Sequence, residues 1–153
     1  MNLGQLARTK GMGALKLVNQ MEREFSRARN LDEHLDHAGP DRNLGLLYRD
    51  APTIISVGSR SKARTHLQRA VELEPDFPEN RLNLIEARLK WSDRKGSLQE
   101  LKALEEALPK ARAEFIGPAW ASSWADWDAR LKTLRKKLED APVLESPRGK
   151  QEG

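Results

Sequence analysis

The chain contains no cysteine, and no long apolar run interrupts its charged sequence. Without cysteine it has no disulfide framework, no cysteine-ligated zinc site and no thiol nucleophile. No segment approaches the ~18 consecutive apolar residues of a membrane-spanning helix, so we expect no transmembrane segment. The N-terminal residues also lack the continuous apolar core and the small-residue cleavage site of a secretory signal peptide.

Aromatic residues make up only 5% of the chain, and neither sign of charge dominates. Lysine and arginine total 27 and aspartate and glutamate total 23, giving a net charge of +4 over 153 residues. This length suits one domain. Because the two signs are mixed along the chain instead of forming one basic segment, we expect no nucleic-acid partner.

Apolar residues recur with helical spacing almost throughout, and no long stretch alternates with period two. This pattern predicts an all-α fold. Gly11 and Gly13 are expected to precede the first complete helix, with residues 1–10 as the tail of an earlier one. The buried face of that complete helix is predicted to contain Val18, Met21, Phe25 and Ala28.

Turn and capping residues predict where the other helices begin and end. The segment Thr53–Gly58 (TIISVG) is short and β-branched and is expected to form a brief strand or a packed loop. Residues 1–140 are expected to form one helical domain, followed by a disordered tail at 141–153. The predicted helices are 40–50, 59–74, 79–91, 97–108 (stopping at Pro109) and a closing helix at 118–140.

An internal repeat is the most informative pattern in the sequence. A 34-residue period is typical of the tetratricopeptide repeat, a helix-turn-helix unit. Leu44-Gly45-x-x-Tyr48 also has the spacing of that repeat's first helix. The sequence therefore predicts an α-α superhelix with units at about 40–75 and 76–109 and an insertion near TIISVG, the alternative being an irregular helical bundle. The recurring pairs are Ala63 and Ser97, Leu67 and Leu101, Ala70 and Leu104, and Pro75 and Pro109.

Tryptophans and leucines form a stripe on the closing helix. We expect this helix to pack over the second unit and cap the array, because the end of a helical repeat needs a solvated cover. An aromatic ligand wall is the alternative. Trp91 is expected to join the same cluster. The stripe contains Trp120, Trp124, Trp127, Leu131, Leu134 and Leu138.

The segments that carry these patterns resemble one subgroup of the Tat T-component family, tetratricopeptide-like proteins associated with TRAP transporters. They are NLGQLARTKGMGALKL (2–17), AGPDRNLGLLYRDAP (38–52), VGSRSKARTHLQRAVELEPDFPENRLNLIEARLKW (57–91) and WASSWADWDARL (120–131). The resemblance implies an α-helical, non-enzymatic, often lipid-anchored periplasmic protein. It implies binding of a transporter's solute-binding subunit or of an apolar ligand.

The sequence departs from that family in two ways. It has no lipobox cysteine, and it begins inside the family's domain, which suggests a truncated reading frame or a mis-assigned start. The compartment therefore stays open. It is periplasmic if the resemblance holds and an upstream signal is missing, and cytoplasmic otherwise.

Two candidate binding regions follow from the repeat. First helices line the concave surface of such arrays, and Asn43 and Asn83 occupy the same repeat position, where an asparagine can bind a peptide backbone. The insertion offers Ile54, Ile55 and Val57 for core packing, an apolar ligand or a homo-oligomer contact. The candidate groove residues are Arg42, Asn43, Arg49, Asn83, Glu86 and Lys90.

Histidines and basic residues give weaker signals. His34 and His37 lie three apart among acidic residues, but no metal or catalytic signature accompanies them, and His66 lies on another helix. We therefore expect no enzyme activity, no metal site and no cofactor. A basic run within residues 130–137 suits the end of a helix.

These patterns together predict a tetratricopeptide-like binding protein. The first version is a transporter-associated component that recognises a partner, such as a periplasmic solute-binding subunit, or an apolar small molecule. The alternative is a generic adaptor that binds a peptide in the concave groove.

Overall fold

The computed structural model describes residues 11–50 and 60–140, and these residues form six α-helices without any strand. The all-α fold expected from the periodicity is confirmed. In the described stretches, none of the helices has the length and apolarity needed to cross a bilayer. The helices are α1 (Gly11–Leu31), α2 (Gly39–Asp50), α3 (Arg60–Leu73), α4 (Pro78–Lys90), α5 (Arg94–Glu114) and α6 (Ala121–Asp140), with a 3-10 turn at Pro118–Trp120 before α6.

Each helix packs against the next one in the chain. The connections within 32–38, 74–77, 91–93 and 115–120 are short, so packed neighbours must run antiparallel. In addition, α2 contacts α4, and α4 contacts α6. The result is a stack in which α2, α4 and α6 lie side by side. This order places the candidate groove residues of α4 between α2 and the closing helix.

The first hairpin, α2 and α3, is closed by a glycine. A Cβ atom on Gly45 would lie 2.6 Å from Cδ2 of Leu67 and 3.1 Å from its backbone nitrogen. Leu67 is fully buried, so it has no room to move away. Gly45 therefore sets how closely the two helices approach, as expected for the small residue of Leu44-Gly45-x-x-Tyr48.

The second hairpin, α4 and α5, differs from the predicted boundaries. Helix α5 begins at Arg94, where Asp93 caps it by accepting a 2.9 Å hydrogen bond from the backbone N–H of Gly96. The prediction that this helix stops at Pro109 is wrong, since it continues to Glu114. Proline removes one backbone donor at a cost of about 3 kcal/mol. The turns beyond it bury Ala111 and Phe115 in the core, which offsets that loss.

The predicted stripe packs into a core cluster shared with α4 and α5, although Trp120 lies in the 3-10 turn before α6 and not on the helix itself. Trp127 is 4% exposed and its indole N–H donates to Glu79 at 2.9 Å. Trp120 and Trp124 pack at the edge of the same cluster, and Trp124 donates to the carbonyl of Phe115 at 2.7 Å. The buried leucines of the stripe are Leu131, Leu134 and Leu138.

Two smaller expectations about the chain are wrong. Trp91 packs against the clusters formed by α2, α3 and α4, away from the tryptophans of α6. Gly13 lies inside α1, which already begins at Gly11. The predicted face of α1 does turn inward at Val18, which is fully buried, and at Phe25, which packs beside Leu44.

Candidate functional site

Arg42 holds together the turn that precedes α2. Asp36, His37 and Ala38 all have positive φ, a conformation that costs non-glycine residues about 1–3 kcal/mol each. Arg42 donates to the carbonyls of Asp36 and His37 at 3.2 and 3.1 Å, and to the Asp36 carboxylate at 2.8 Å. It also donates to Oδ1 of Asn80 at 3.2 Å. The Arg42 guanidinium therefore stabilises this strained turn, whereas the repeat pattern predicts that it binds a partner in the groove.

Arg130 of α6 occupies the part of the groove formed by Asn83 and Glu86. Its guanidinium donates to Oδ1 of Asn83 at 2.9 Å and to both carboxylate oxygens of Glu86 at 2.9 and 2.8 Å. Further bonds reach Glu79 at 3.0 Å and Asp126 at 3.1 Å. Burial lowers the pKa of Arg130, but the bonds to Glu86 and the charge of Glu79 outweigh it and leave that pKa raised. Arg130 of the closing helix thus binds Asn83 and Glu86, two residues that the sequence analysis assigns to partner binding.

The α2 side of the groove keeps a hollow of its own. Asn43 lines a cavity of about 180 Å³ between α1 and α2. Arg49 lies nearby and binds the carboxylate of its neighbour Asp50, with contacts of 2.7 and 3.1 Å. The hollow is therefore mainly apolar, and the ion pair between Arg49 and Asp50 lies at its edge. Its other lining residues are Met21, Phe25, Leu46, Leu47 and Asp50.

A larger hollow of about 350 Å³ lies between α4 and α6. Leu89 and Leu134 supply its apolar surface, and Glu86, Lys90 and Lys137 supply its charged surface. The Lys90 ammonium is 4.0 Å from Asp50, a residue that lines the α2 hollow. The two hollows are therefore neighbours. We call them together the concave groove.

The sequence analysis did not name the apolar residues Leu46 and Leu89 for the groove. Their signal was an apolar residue on α2 or α4 outside the predicted core face. Leu134 also lines the groove, but it is buried in the core cluster, as the predicted packed stripe requires. The other apolar candidates, Ile54, Ile55 and Val57, lie outside the described residues.

The three histidines face two different carboxylates. His34 and His37 approach Glu74 at 2.8 and 3.7 Å, whereas His66 approaches Asp41 at 2.7 Å. The hydrogen bond to Glu74 raises the pKa of His34. In residues 11–50 and 60–140, no group of three or more histidine, cysteine or acidic side chains is arranged to hold a metal ion.

Asp41 is a buried anion that the sequence analysis also missed. Its carboxylate is fully buried and lies 2.7 Å from His66, 3.3 Å from Arg29 and 3.2 Å from Arg69. These partners come from α1 and α3, so a residue at the start of α2 joins three helices. A buried carboxylate needs such partners because an isolated charge is costly in the interior.

Comparison with known proteins finds no protein-family model that matches this chain and no curated protein with significant similarity to it.

Proposed function

We propose that this protein is a tetratricopeptide-like module that binds a partner in its concave groove without catalysing a reaction. The observation that carries the proposal is the hollow between α4 and α6. Leu89 supplies most of its apolar surface, the buried Leu134 lies at its floor with 3% of its surface exposed, and Lys90 and Lys137 stand at its rim. Apolar clefts with a few charged groups are the usual form of ligand sites.

Equivalent contacts in the two hairpins support the repeat on which this proposal rests. Residues of α2 and α4 correspond at an offset of 40, and residues of α3 and α5 correspond at an offset of 34. Pairs that are in contact, or share a buried cluster, in one hairpin correspond to such pairs in the other. These are Gly45–Leu67 and Ile85–Leu101, and Tyr48–Lys62 and Arg88–Gly96.

The charges of the larger hollow favour an acidic partner. Glu86 is already paired with Arg130. Lys90 is 58% exposed, and its ammonium makes one long contact of 4.0 Å with the Asp50 carboxylate. Lys137 is also exposed. A peptide or small molecule with apolar groups and a carboxylate matches this surface, because its apolar part covers the leucines and its anion meets the lysines.

The resemblance to transporter T-components narrows the proposal to one kind of partner. In that version the groove recognises a surface of a solute-binding subunit or the apolar solute itself. The adaptor version needs only a free peptide. A solute-binding gene and an export signal in the genomic neighbourhood support the first version, and a peptide that binds in isolation supports the second.

Peptide selection tests the groove directly. We expect a displayed random peptide library, selected on the intact chain, to yield sequences that combine apolar residues with aspartate, glutamate or a free C-terminus. Replacing Lys90 and Lys137 with alanine should weaken those peptides about tenfold, since each exposed charged contact contributes up to ~1 kcal/mol.

The matched control replaces Lys102 and Lys132, two exposed lysines that do not line the hollow. This control changes the net charge equally and should leave peptide affinity within about twofold. Equal loss of peptide affinity in both variants would show that the effect comes from the net charge of the protein and not from the groove. Selected peptides that bind the Lys90→Ala/Lys137→Ala variant as well as the parent would refute the groove.

A further inference from the structure

Charges that are mixed along the chain separate in space. Because neighbouring helices are antiparallel, α3 and α5 begin at the end of the stack where α2, α4 and α6 finish. Residues 49–50, 60–64, 88–95 and 132–139 form that end and contain 12 lysines and arginines but only three acidic residues. Nine of the 12 basic side chains are exposed. We call this surface the basic end.

The opposite end has the reverse balance. Residues 29–42, 69–81, 107–114 and 121–130 contain 11 acidic side chains and seven lysines and arginines. The small net charge of +4 therefore combines an excess of cations at one end with an excess of anions at the other. A field of one sign at one end can attract and orient a partner of the opposite sign.

Helix stability does not account for the cations at the beginnings of α3 and α5. The helix dipole favours acidic residues in a first turn and disfavours basic ones. Neither α3 nor α5 has an acidic residue there. Their first turns carry Arg60, Lys62, Arg94 and Lys95 instead. These cations oppose the dipole of their own helices. Arg94 donates to the carbonyl of Leu138 in the last turn of α6, and Lys62 lies over the ring of Tyr48. Arg60 and Lys95 are therefore the cations that point to a role in binding.

An indole and an exposed leucine accompany these cations. The guanidinium carbons of Arg60 and Arg64 lie 5.9 and 5.5 Å from the centre of the Trp91 ring. Leu98 is 42% exposed and follows Lys95 by one turn on α5. Trp91 itself packs against the core clusters of α2, α3 and α4, so it positions these cations, and their charges supply the attraction to anionic headgroups.

The same surface is poorly suited to nucleic acid. All eight aromatic residues lie within the described parts of the chain, and none is classed as exposed, so bases find no free ring for stacking. The cations are spread over the ends of five helices and do not follow one helix that might enter a groove. Lipid headgroups diffuse laterally and can gather under cations spread in this way.

We propose that the basic end docks on a bilayer surface containing anionic phospholipids. The ends of α2 to α6 face the headgroups, and the acidic end points away from the membrane. Each cation near such a surface contributes about a fivefold increase in binding. Lys90 and Lys137 belong both to the basic end and to the groove, so the test uses Arg60 and Lys95, which line neither hollow.

Vesicle co-sedimentation tests the proposal. We expect the intact chain to bind vesicles of equal parts phosphatidylglycerol and phosphatidylcholine at about 0.05 M salt, and to release them at about 0.5 M. It should not bind phosphatidylcholine alone. The variant Arg60→Glu/Lys95→Glu should bind at least about 25-fold more weakly, with a thermal midpoint close to that of the parent, because the dipole favours the new carboxylates.

The control variant Arg27→Glu/Lys102→Glu has the same net charge but alters exposed cations outside the basic end. It should bind like the parent. Absence of binding to anionic vesicles would overturn the proposal, as would equal weakening in the two variants. Tighter binding to duplex DNA than to anionic vesicles at the same salt would assign the basic end to nucleic acid instead.

Discussion

Single residues determine how closely the helices of this protein approach. Gly45 allows α2 to contact Leu67, and Gly96 lies where a Cβ would meet Nη1 of Arg88 at 2.7 Å. The first of these was readable from the Leu44-Gly45-x-x-Tyr48 spacing. Gly96 is in the first helical turn of α5. Its role depends on the position of Arg88, which the sequence does not specify.

Gly45→Ala should destabilise the protein by about 1–2 kcal/mol. The new Cβ overlaps Leu67, which is fully buried, and overpacking of this kind costs ~1–3 kcal/mol. That loss exceeds the gain in helix propensity of ~1 kcal/mol. Urea denaturation measures the difference, with exposed Gln99→Ala as the control. A stabilised Gly45→Ala protein would show that α2 and α3 are not in close contact.

Asp93→Ala should remove the cap of α5 and cost ~1–2 kcal/mol at neutral pH. The N–H of Gly96, followed by Arg88, lowers the pKa of Asp93. A carboxyl group with a lowered pKa stabilises the fold above its unfolded pKa of ~3.9, and this contribution is lost as pH falls through the folded pKa. The free-energy difference between parent and variant should therefore shrink at about pH 2. A constant difference across this range would contradict the capping role.

His34 should give the opposite pH dependence. Its hydrogen bond to Glu74 raises its pKa, so the contribution to stability is complete below the unfolded pKa of ~6.5 and disappears as pH rises through the folded value. Thermal midpoints of the parent and His34→Gln should therefore differ at about pH 5.5 and converge at about pH 9. Convergence on the acidic side instead would exclude the Glu74 pair as the cause.

At the scale of elements, α6 is attached by more than its apolar stripe. The stripe was predicted from spacing alone, because six residues at intervals of three and four share one helix face. Arg130 was assigned only to a basic run, yet it binds acceptors on α4. Sequence spacing shows which face is apolar but not which polar residue meets a distant partner.

Arg130→Gln should destabilise the protein by about 2–3 kcal/mol, because it leaves Glu79 and Glu86 partly buried without their cation. Arg130→Lys should recover little of this, since an ammonium cannot reproduce the planar fork. Arg135→Gln is the control, an exposed pair with Glu105 that contributes less than ~1 kcal/mol. Chemical denaturation of the three variants measures these differences, and equal losses at positions 130 and 135 would contradict the anchoring of α6.

For the whole molecule, the core clusters connect the two hairpins. Leu84 and Ala87 of α4 share a cluster with Leu67 and Val71 of α3, while Ile85 of the same helix lies in the cluster of α6. Helix α4 thus faces both hairpins. Helix α4 is central because it contacts α2 and α3 on one side and α5 and α6 on the other. The expected repeat also placed it between the first hairpin and the closing helix.

This shared helix predicts one cooperative unfolding transition. Tryptophan fluorescence reports on both hairpins, because Trp91 packs against the clusters formed by α2, α3 and α4 and Trp127 lies in the cluster of α6. Fluorescence and far-ultraviolet circular dichroism should therefore give coincident urea curves. Two separated transitions would show that the hairpins unfold independently, as loosely coupled repeats do.

The sequence alone determined the helical class, most helix positions and the inward faces, because a period of 3.6 residues and local turn chemistry are properties of short segments. The tertiary structure decided the partners of Arg42 and Arg130, the burial of Asp41, the passage of α5 through Pro109 and the separation of charge between two ends. These features depend on residues far apart in the chain that antiparallel packing brings to the same place. Their interaction energies come from contacts between helices, so the sequence of a single segment does not specify them.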